Sequence, residues 1–296
     1  MQLKQSLASA IARLTASQVP SPRLNAELLL MFTLGCDRAY LFAHPERELT
    51  ADEQTRYEAA LADRDRGVPA QYIVGHQEFW GMDLIVTPAV LIPRPETEHV
   101  IEAVLQTLGL GAGNLTAGEG DSELHLGREA TLRIVDVGTG SGCIALALAK
   151  ELAGAEIHAT DISASALEIA RANAARHQLE DRIEFHQGDL LDGLRPPFDF
   201  IVSNPPYVGE SEADQVQLDV RKFEPNNAVF AGQTGVEIIG RLISQARAAL
   251  SPGGWLVMEI SGTIAAETER LLSEWNDVRI IPDLQSIARV AQARKP

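Results

Sequence analysis

The residues best suited to do chemistry are Asn204-Pro205-Pro206-Tyr207, directly after the apolar run 198–203. A turn of this type at a strand end offers a side-chain carbonyl and a backbone carbonyl. These are acceptors for the two N–H groups of a planar amide or an exocyclic amine. Each proline fixes its own φ and carries no N–H, and Pro205 biases Asn204 away from the helical region. Acceptors held this way cost little to organise when a substrate arrives, which suits catalysis by positioning. Upstream, Val135-Asp136-Val137-Gly138-Thr139-Gly140-Ser141-Gly142 places a glycine-rich turn after a short apolar run. Such a turn aims backbone N–H groups at a ligand. The two motifs together point to an enzyme that methylates a nitrogen.

The glycine motif admits three ligand readings. A P-loop needs Lys and then Ser or Thr after its last glycine, whereas Cys143-Ile144 follows here. A dinucleotide fingerprint needs Gly-x-Gly-x-x-Gly, and this spacing is Gly-x-Gly-x-Gly. The third reading is S-adenosylmethionine. Asp136 is then expected to face the positive methionine end of the cofactor. Asp161, 25 residues after Asp136, is placed to accept both ribose hydroxyls, as at a switch point of an α/β sheet. Gly188-Asp189-Leu190 is the expected place for adenine contacts. The ordered set Asp136, Asp161, Asp189 and Asn204 carries more weight than the glycines alone.

The elements that must position these groups follow from periodicity. Residues 1–75 read as a helical domain. Leu3, Leu7, Ile11 and Leu14 share a face, Ala26–Leu34 is a dense apolar helix ended by Gly35, and Thr50 with Glu53 forms a capping-box pattern. In the helix that follows, Tyr57 and Leu61 are expected inside, with Arg56, Arg64 and Asp65 outside. Residues 76–92, rich in aromatic and β-branched types, read as a linking hairpin or a pair of short strands. A helix should then run to about Leu108, and the glycine-rich stretch 109–130 reads as a surface loop without function. From Leu132 strands and helices alternate: strands at 132–137, 156–160, 182–187, 198–203 and 255–260, helices at 143–152, 164–177, 236–250 and 264–275. Segments 278–281 and 287–291 could close the sheet as an antiparallel pair. This makes residues 93–296 an α/β domain built on a mainly parallel sheet with helices on both faces.

Composition narrows the class further. A chain of 296 residues with 45% hydrophobic and 22% charged residues has room for two domains and an ordinary globular core. Its longest apolar stretches fall far short of the ~20 residues that span a bilayer, and residues 1–6 begin a polar amphipathic pattern unlike a secretory signal. Two cysteines, Cys36 and Cys143, give no disulfide framework, so a reducing cytoplasm is the expected setting. The net charge of −16 weighs against a protein built to grip phosphate backbone. The seven histidines show no ligand-like spacing, and no metal site is expected.

With their surroundings, these motifs closely resemble the release factor glutamine methyltransferases, the PrmC/HemK family. The resemblance includes Pro69-Ala70-Gln71-Tyr72-Ile73-Val74-Gly75, Glu78-Phe79-Trp80-Gly81, 91–98 with its Arg-Pro-Glu core, Asp136–Ala149, Ser203–Val208 and 221–225. It implies a seven-stranded, Rossmann-like methyltransferase sheet joined through a β-hairpin to an N-terminal helical bundle that recognises the release factor. It further implies methylation of the glutamine side-chain amide (N5) in the Gly-Gly-Gln loop of class I peptide chain release factors. Carried over, Gly138, Thr139, Gly140, Ser141, Gly142, Asp161 and Leu190 bind the cofactor, with Asp189 and Asn204 beside it. Asn204, Pro205, Pro206 and Tyr207 bind the glutamine, and Asn204 and Pro205 carry catalysis. The stretches 109–130, 259–263 and 283–285 depart from the family pattern.

In this reading the Asn204 side-chain oxygen and the Pro205 carbonyl each accept one amide N–H, while Tyr207 packs on the flat amide. Arg94 and Glu96 either line the substrate channel or pair as a brace between hairpin and sheet; the brace is the simpler expectation. Cys143 is expected to be a small packed residue, and 223–225 a structural segment. The rival activity is methylation of an adenine N6 or related nucleic-acid amine, which suits the same two-acceptor turn. No direct nucleic-acid or membrane partner is expected.

Overall fold

The computed structural model describes residues 1–110 and 131–296. Of the glycine-rich stretch 109–130, read from sequence as a surface loop, residues 111–130 lie outside the described residues. The chain divides into two compact units: residues 1–76 with 216–223, and residues 77–215 with 224–296.

In the first unit, α1 (Leu3–Ala16), α2 (Pro22–Leu34), α3 (Arg38–Ala43), α4 (Ala51–Asp65) and α5 (Ala70–Val74) enclose their own core of Leu3, Leu14, Leu29, Leu30, Tyr57 and Leu61. Local chemistry sets the helix ends. Pro22 opens α2, where its missing N–H costs nothing, and Gly35 closes it at φ +61°. The Thr50–Glu53 capping box forms in both directions at the start of α4. Tyr57 and Leu61 point inward as expected, and the Tyr57 hydroxyl donates to the Ala26 carbonyl at 3.0 Å. Arg64 does not point outward. It is buried because Asn25 Oδ1, the Val68 carbonyl and Asp219 supply acceptors for its guanidinium.

The second unit begins inside the hairpin of β1 (His76–Phe79) and β2 (Met82–Ile85), at Gln77. Trp80 (φ +52°) and Gly81 (φ +66°) are both left-handed, as a two-residue hairpin turn matching strand twist requires. The expected strand character does not extend past Ile85. Val86, Val90 and Ile92 are apolar because they are buried, and Val90 N–H closes a turn onto Thr87 instead of a ladder. A short 3₁₀ turn at Pro95–Thr97 leads into α6 (Glu98–Thr107).

Strands and helices then alternate: β3 (Arg133–Val137), α7 (Cys143–Glu151), β4 (Glu156–Asp161), α8 (Ala164–Arg176), β5 (Ile183–Gln187) and β6 (Phe198–Ser203). Next come β7 (Val208–Gly209), α9 (Leu218–Phe223, grouped with the first unit), α10 (Asn226–Val229) and β8 (Phe230–Gly232), which pairs with β7. The chain ends with α11 (Glu237–Ala249), β9 (Leu250–Glu259), α12 (Ala265–Leu271), β10 (Asn276–Pro282) and β11 (Ala288–Arg294).

The main sheet has seven strands in the order β10-β11-β9-β6-β3-β4-β5. β9, β6, β3, β4 and β5 pair in parallel; β11 runs antiparallel to both its neighbours. Alternate residues of β6 serve opposite cores. Phe200 and Val202 pack with α6 and α7 and Ile201 with α11, while Phe198, before the pairing irregularity, falls out of phase and joins the α11 core. Burial on both faces explains why the run is continuously apolar.

Two boundaries differ from the sequence reading. β9 starts at Leu250, but residues 251–254 form an irregularity, since Phe198 pairs with Leu250 and Phe200 with Trp255. Pro252 lies in this irregularity, where no ladder N–H is demanded of it. The helix expected to reach Trp275 ends at Leu271. Beyond it Ser273 N–H bonds to Arg270 and Trp275 N–H to Leu272, the tighter three-residue spacing. At the far edge the β10–β11 pairing shifts register twice, between Asn276 and Arg279 and between Ile281 and Pro282.

One buried side chain ties the hairpin to the rest of this unit. Asn173 on α8 accepts from Ile85 N–H at 2.6 Å and donates to the Ile85 carbonyl at 3.0 Å and the Ser141 carbonyl at 2.9 Å. It thereby completes the ladder groups of β2 and fixes the glycine turn. Asn173→Ala leaves buried backbone groups without partners and is expected to cost about 2–5 kcal/mol, measurable as a lowered midpoint in denaturant unfolding.

Candidate functional site

Strand order reverses between β3 and β6: the chain goes from β3 out to β4 and β5, then returns to β6 on the other side. A crevice forms at the carboxyl ends of strands at such a switch point. The register aligns those ends. Val137 pairs with Thr160 on one side and Ser203 on the other, and Asp161 pairs with Gln187. Consequently 138–142, 161–163, 188–190 and 204–207 emerge side by side. They surround a cavity of about 290 Å³, near the lower end of the ~300–1,000 Å³ usual for small-molecule sites. Of the residues singled out from sequence, the cavity wall includes Gly138, Thr139, Gly140, Ser141, Asp161, Asp189, Leu190, Asn204 and Pro206. Gly142, Pro205, Tyr207 and Asp136 are not part of that wall.

The three glycines answer to different constraints. Gly138 (φ +72°) and Gly140 (φ +54°) line the cavity, and a Cβ on either would meet no protein atom within 4 Å. Backbone conformation, and room for a ligand against the main chain, is what they supply. Gly142 serves packing instead: its Cβ would sit 3.1 Å from Leu146 Cδ1 and 3.3 Å from Ala170 Cβ. At the next strand end, Asp161 accepts from Gly140 N–H at 2.9 Å and Ser163 N–H at 2.8 Å. Each carboxylate oxygen keeps a lone pair for a ligand hydroxyl. Ser163, as its sequence position suggests, caps α8 through Ala166 N–H. Asp189 pairs with Arg241 at 2.6 Å in an open ion pair. Gly188 cannot carry a side chain, because its Cβ would lie 2.6 Å from the Asp192 carbonyl.

Asp136 corrects the sequence reading. It lies beneath the glycine turn, wholly buried, accepting from Thr139 Oγ1 at 2.6 Å and Ala145 N–H at 3.1 Å. Burial pushes its carboxyl up to about 7, against the pull of those two donors. Burial likewise pushes the Cys143 thiol up to about 12, which leaves a packed thiol and no nucleophile.

Arg94 also differs. It pairs with buried Glu224, whose second oxygen accepts from Ile92 N–H at 3.1 Å, and not with Glu96. Glu96 stands 3.9 Å from Arg289 instead. Arg94 therefore both braces the 91–98 segment and lines the cavity. Glu224 belongs to the segment read as structural.

The Asn204 corner rests on two residues the motif search passed over. Asn204 Nδ2 donates to Thr97 Oγ1 at 3.0 Å, Thr97 Oγ1 donates to Glu259 Oε2 at 2.5 Å, and Tyr207 OH donates to Glu259 Oε1 at 3.1 Å. Thr97 and Glu259 are both buried. Desolvation raises the Glu259 carboxyl from its ordinary range, while the Thr97 and Tyr207 donors pull it back toward the ionised form. A hydroxyl has one proton to give. Thr97 gives that proton to Glu259 and accepts from Asn204, so the amide N–H₂ faces inward and Oδ1 has no partner among the described residues. A sequence signal did exist: a lone carboxylate ending the apolar strand 255–260 needs a buried partner.

A cavity of this build, at this point of a sheet of this order, defines the class: a Rossmann-like methyltransferase. The comparisons agree. The PrmC N-terminal domain family matches residues 5–75 and the methyltransferase small domain family matches 124–222. A release factor glutamine methyltransferase of Koribacter versatilis is 54% identical over all of this chain and 99% of its own length. One from Xylella fastidiosa strain 9a5c is 40% identical over 97% of this chain and 98% of its own. One from Chlorobaculum tepidum is 40% identical over 96% and 94%. The chain belongs to the release factor glutamine methyltransferase family. Among solved structures, the hMettl16 catalytic domain bound to MAT2A 3′UTR hairpin 6 shares the fold, with a TM-score of 0.54 at 17% identity over 81% of each chain. A methyltransferase from Pyrococcus furiosus shares it at 0.50 and 19% identity, over 81% of this chain and 98% of that one.

The raised Asp136 carboxyl predicts a pH dependence. Unfolded aspartate releases its proton near 3.9, whereas folded Asp136 holds it to about 7. Across that window the unfolded state binds fewer protons, so the stability contributed by this group is lost as pH rises. Asp136→Asn removes the dependence. Its unfolding midpoint, measured against wild type, should climb from pH ~4 to ~7; parallel curves would show that Asp136 ionises as freely folded as unfolded.

Proposed function

We propose that this enzyme transfers a methyl group from S-adenosylmethionine to the side-chain amide nitrogen of the glutamine in the Gly-Gly-Gln loop of class I peptide chain release factors. Kinship with release factor glutamine methyltransferases over the whole chain supports the substrate class. The observation that carries the chemistry is the tied-back Asn204 amide, with its free oxygen beside the cavity.

The cavity fits the cofactor. The Gly138–Ser141 main chain is open to a ligand, Asp161 has lone pairs for ribose hydroxyls, and Ile162 and Leu190 offer apolar sides beside Asp189 for the adenine. Bound there, the cofactor supplies an electrophilic methyl on a sulfonium with a good leaving group. The remaining task is geometric, since a carboxamide lone pair is delocalised into its carbonyl. Asn204 Oδ1 and the Pro205 carbonyl each accept one amide N–H; the latter has no backbone donor among the described residues. Two fixed acceptors turn the nitrogen toward the methyl and stabilise the positive charge growing on it. Tyr207 holds the corner through its hydroxyl bond to Glu259. No general base is needed before transfer, because the nitrogen becomes acidic once methylated.

The N-terminal helical unit is the proposed release-factor recognition domain. Exposed Leu24, Phe32, Tyr40 and Phe42 on α2 and α3 give it apolar contact surface. No helix of the described residues is long and apolar enough to cross a membrane. The two cysteines, both free, fit the reducing cytoplasm proposed as its setting. The acidic net charge supports a protein substrate over direct nucleic-acid binding.

Mass spectrometry of the Gly-Gly-Gln peptide, after incubating release factor with enzyme and cofactor, tests the reading. Labelled cofactor with DNA or RNA forms the opposing arm, and label entering only nucleic acid refutes the proposal. Asn204→Ala should lower transfer by at least ~100-fold with cofactor affinity nearly unchanged; equal loss of both would misassign Asn204. Thr97→Val should cost ~10–100-fold in kcat by letting the Asn204 amide turn, and Thr97→Ser should restore it.

A further inference from the structure

We propose a divalent metal site of the Zn²⁺ class on the sheet, apart from the cavity, ligated by His158 of β4 and by Glu184 and His186 of β5. No metal site was expected from spacing, because the ligands come from two strands whose register the sequence does not reveal. In the sheet His158 pairs with Glu184 and Thr160 with His186, so the three side chains share one face. Their donor atoms cluster within 4.8 Å of one another, each Glu184 oxygen facing one of the two imidazole nitrogens. His158 Nδ1 lies 3.3 Å from His186 Nε2 and 3.4 Å from Glu184 Oε2, and His186 Nε2 lies 3.3 Å from Glu184 Oε1. Ligands about 2.0–2.2 Å from a tetrahedral Zn²⁺ stand roughly 3.3–3.6 Å from one another. The His158–His186 nitrogen pair has the spacing of one edge of that tetrahedron, and Glu184 has an oxygen at the same range from each nitrogen.

The surroundings orient the ligands. His158 Nε2 lies 2.6 Å from Glu156 Oε1, and donating there leaves Nδ1 as the bare nitrogen a metal needs. A carboxylate behind a ligating histidine is the usual means of fixing its tautomer. Arg133 donates to Glu156 and to the carbonyls of Arg195 and Pro197, and its guanidinium is 3.3 Å from His158 Nε2. Its charge is thus matched by Glu156, and Glu184 remains as the carboxylate for a cation. Without a cation, the bare His158 nitrogen and the Glu184 oxygens share the single proton that His186 Nε2 can offer. A metal would satisfy all three at once. Glu184 is largely exposed, so solvent can reach a fourth position. Such an ion would rivet the edge strand β5 to β4, whose ends deliver Asp161 and 188–190 to the cavity.

The test uses the full-length protein, stripped with chelator and dialysed, and does not depend on activity. Calorimetric titration with ZnCl₂ should show one tight site, Co²⁺ should give the strong visible absorption of a tetrahedral complex, and Mg²⁺ should give neither. His186→Ala should abolish the tight site. Glu156→Gln should weaken it ~10–100-fold, as expected for loss of a supporting carboxylate. Glu184→Gln, at an exposed position, should weaken it too and serves if His186→Ala fails to fold. Absence of tight Zn²⁺ binding to wild type overturns the site. Unchanged Zn²⁺ binding in His186→Ala, or in Glu184→Gln where that variant stands in, does the same.

Discussion

The Thr97 hydroxyl has a single proton, and the arrangement of the acceptor corner depends on where it goes. Glu259 accepts it, alongside the Tyr207 hydroxyl, in a buried setting, and Thr97 in turn accepts from Asn204. An asparagine amide is nearly symmetric in shape and would otherwise present either end to the cavity. The two prolines fix the backbone at this corner but not the amide rotation. Thr97 and Glu259 supply what the motif itself lacks. They lie 162 positions apart in the chain, so the enzyme assembles its acceptor only when the 91–98 segment and β9 are both in place.

The same dependence on distant partners recurs at the other wall. Asn173 reaches from α8 to both β2 and the glycine turn, and Glu224 gathers Arg94 and Ile92 N–H. Each is a buried polar group whose bonds would cost more unmade than they gain when formed. Such groups favour one arrangement of loops over near alternatives. The strands contribute differently: their parallel register sets the four loop origins side by side, and the side chains then fix the loops.

What was legible in the sequence was local. The Asn-Pro-Pro-Tyr turn, the glycine motif, the Thr50–Glu53 cap and the β6 run each declare themselves within a few residues; the cap and the strand form as read, and parts of both motifs line one cavity. What was not legible depends on neighbours far along the chain. Arg64 looked like a solvent residue on helical periodicity, yet Asn25 and Asp219 make its burial affordable. Arg94 sits two residues from Glu96 but finds Glu224. Asp136 lies one residue before the end of β3, but it turns under the glycine turn instead of into the cavity. Val86, Val90 and Ile92 show the converse error, since apolar residues can be buried without belonging to a ladder.

The irregular pairing of β10 with β11 has a consequence for life at high concentration. β10 is the outermost strand on its side of the sheet, and its free edge could template another chain. Two register breaks, the charged Asp277 and Arg279, and Pro282 at its end leave no flat, evenly spaced row of hydrogen-bonding groups there. A neighbouring molecule finds no stretch long enough to zip onto, so crowded copies of this protein are discouraged from fusing through that border into fibres.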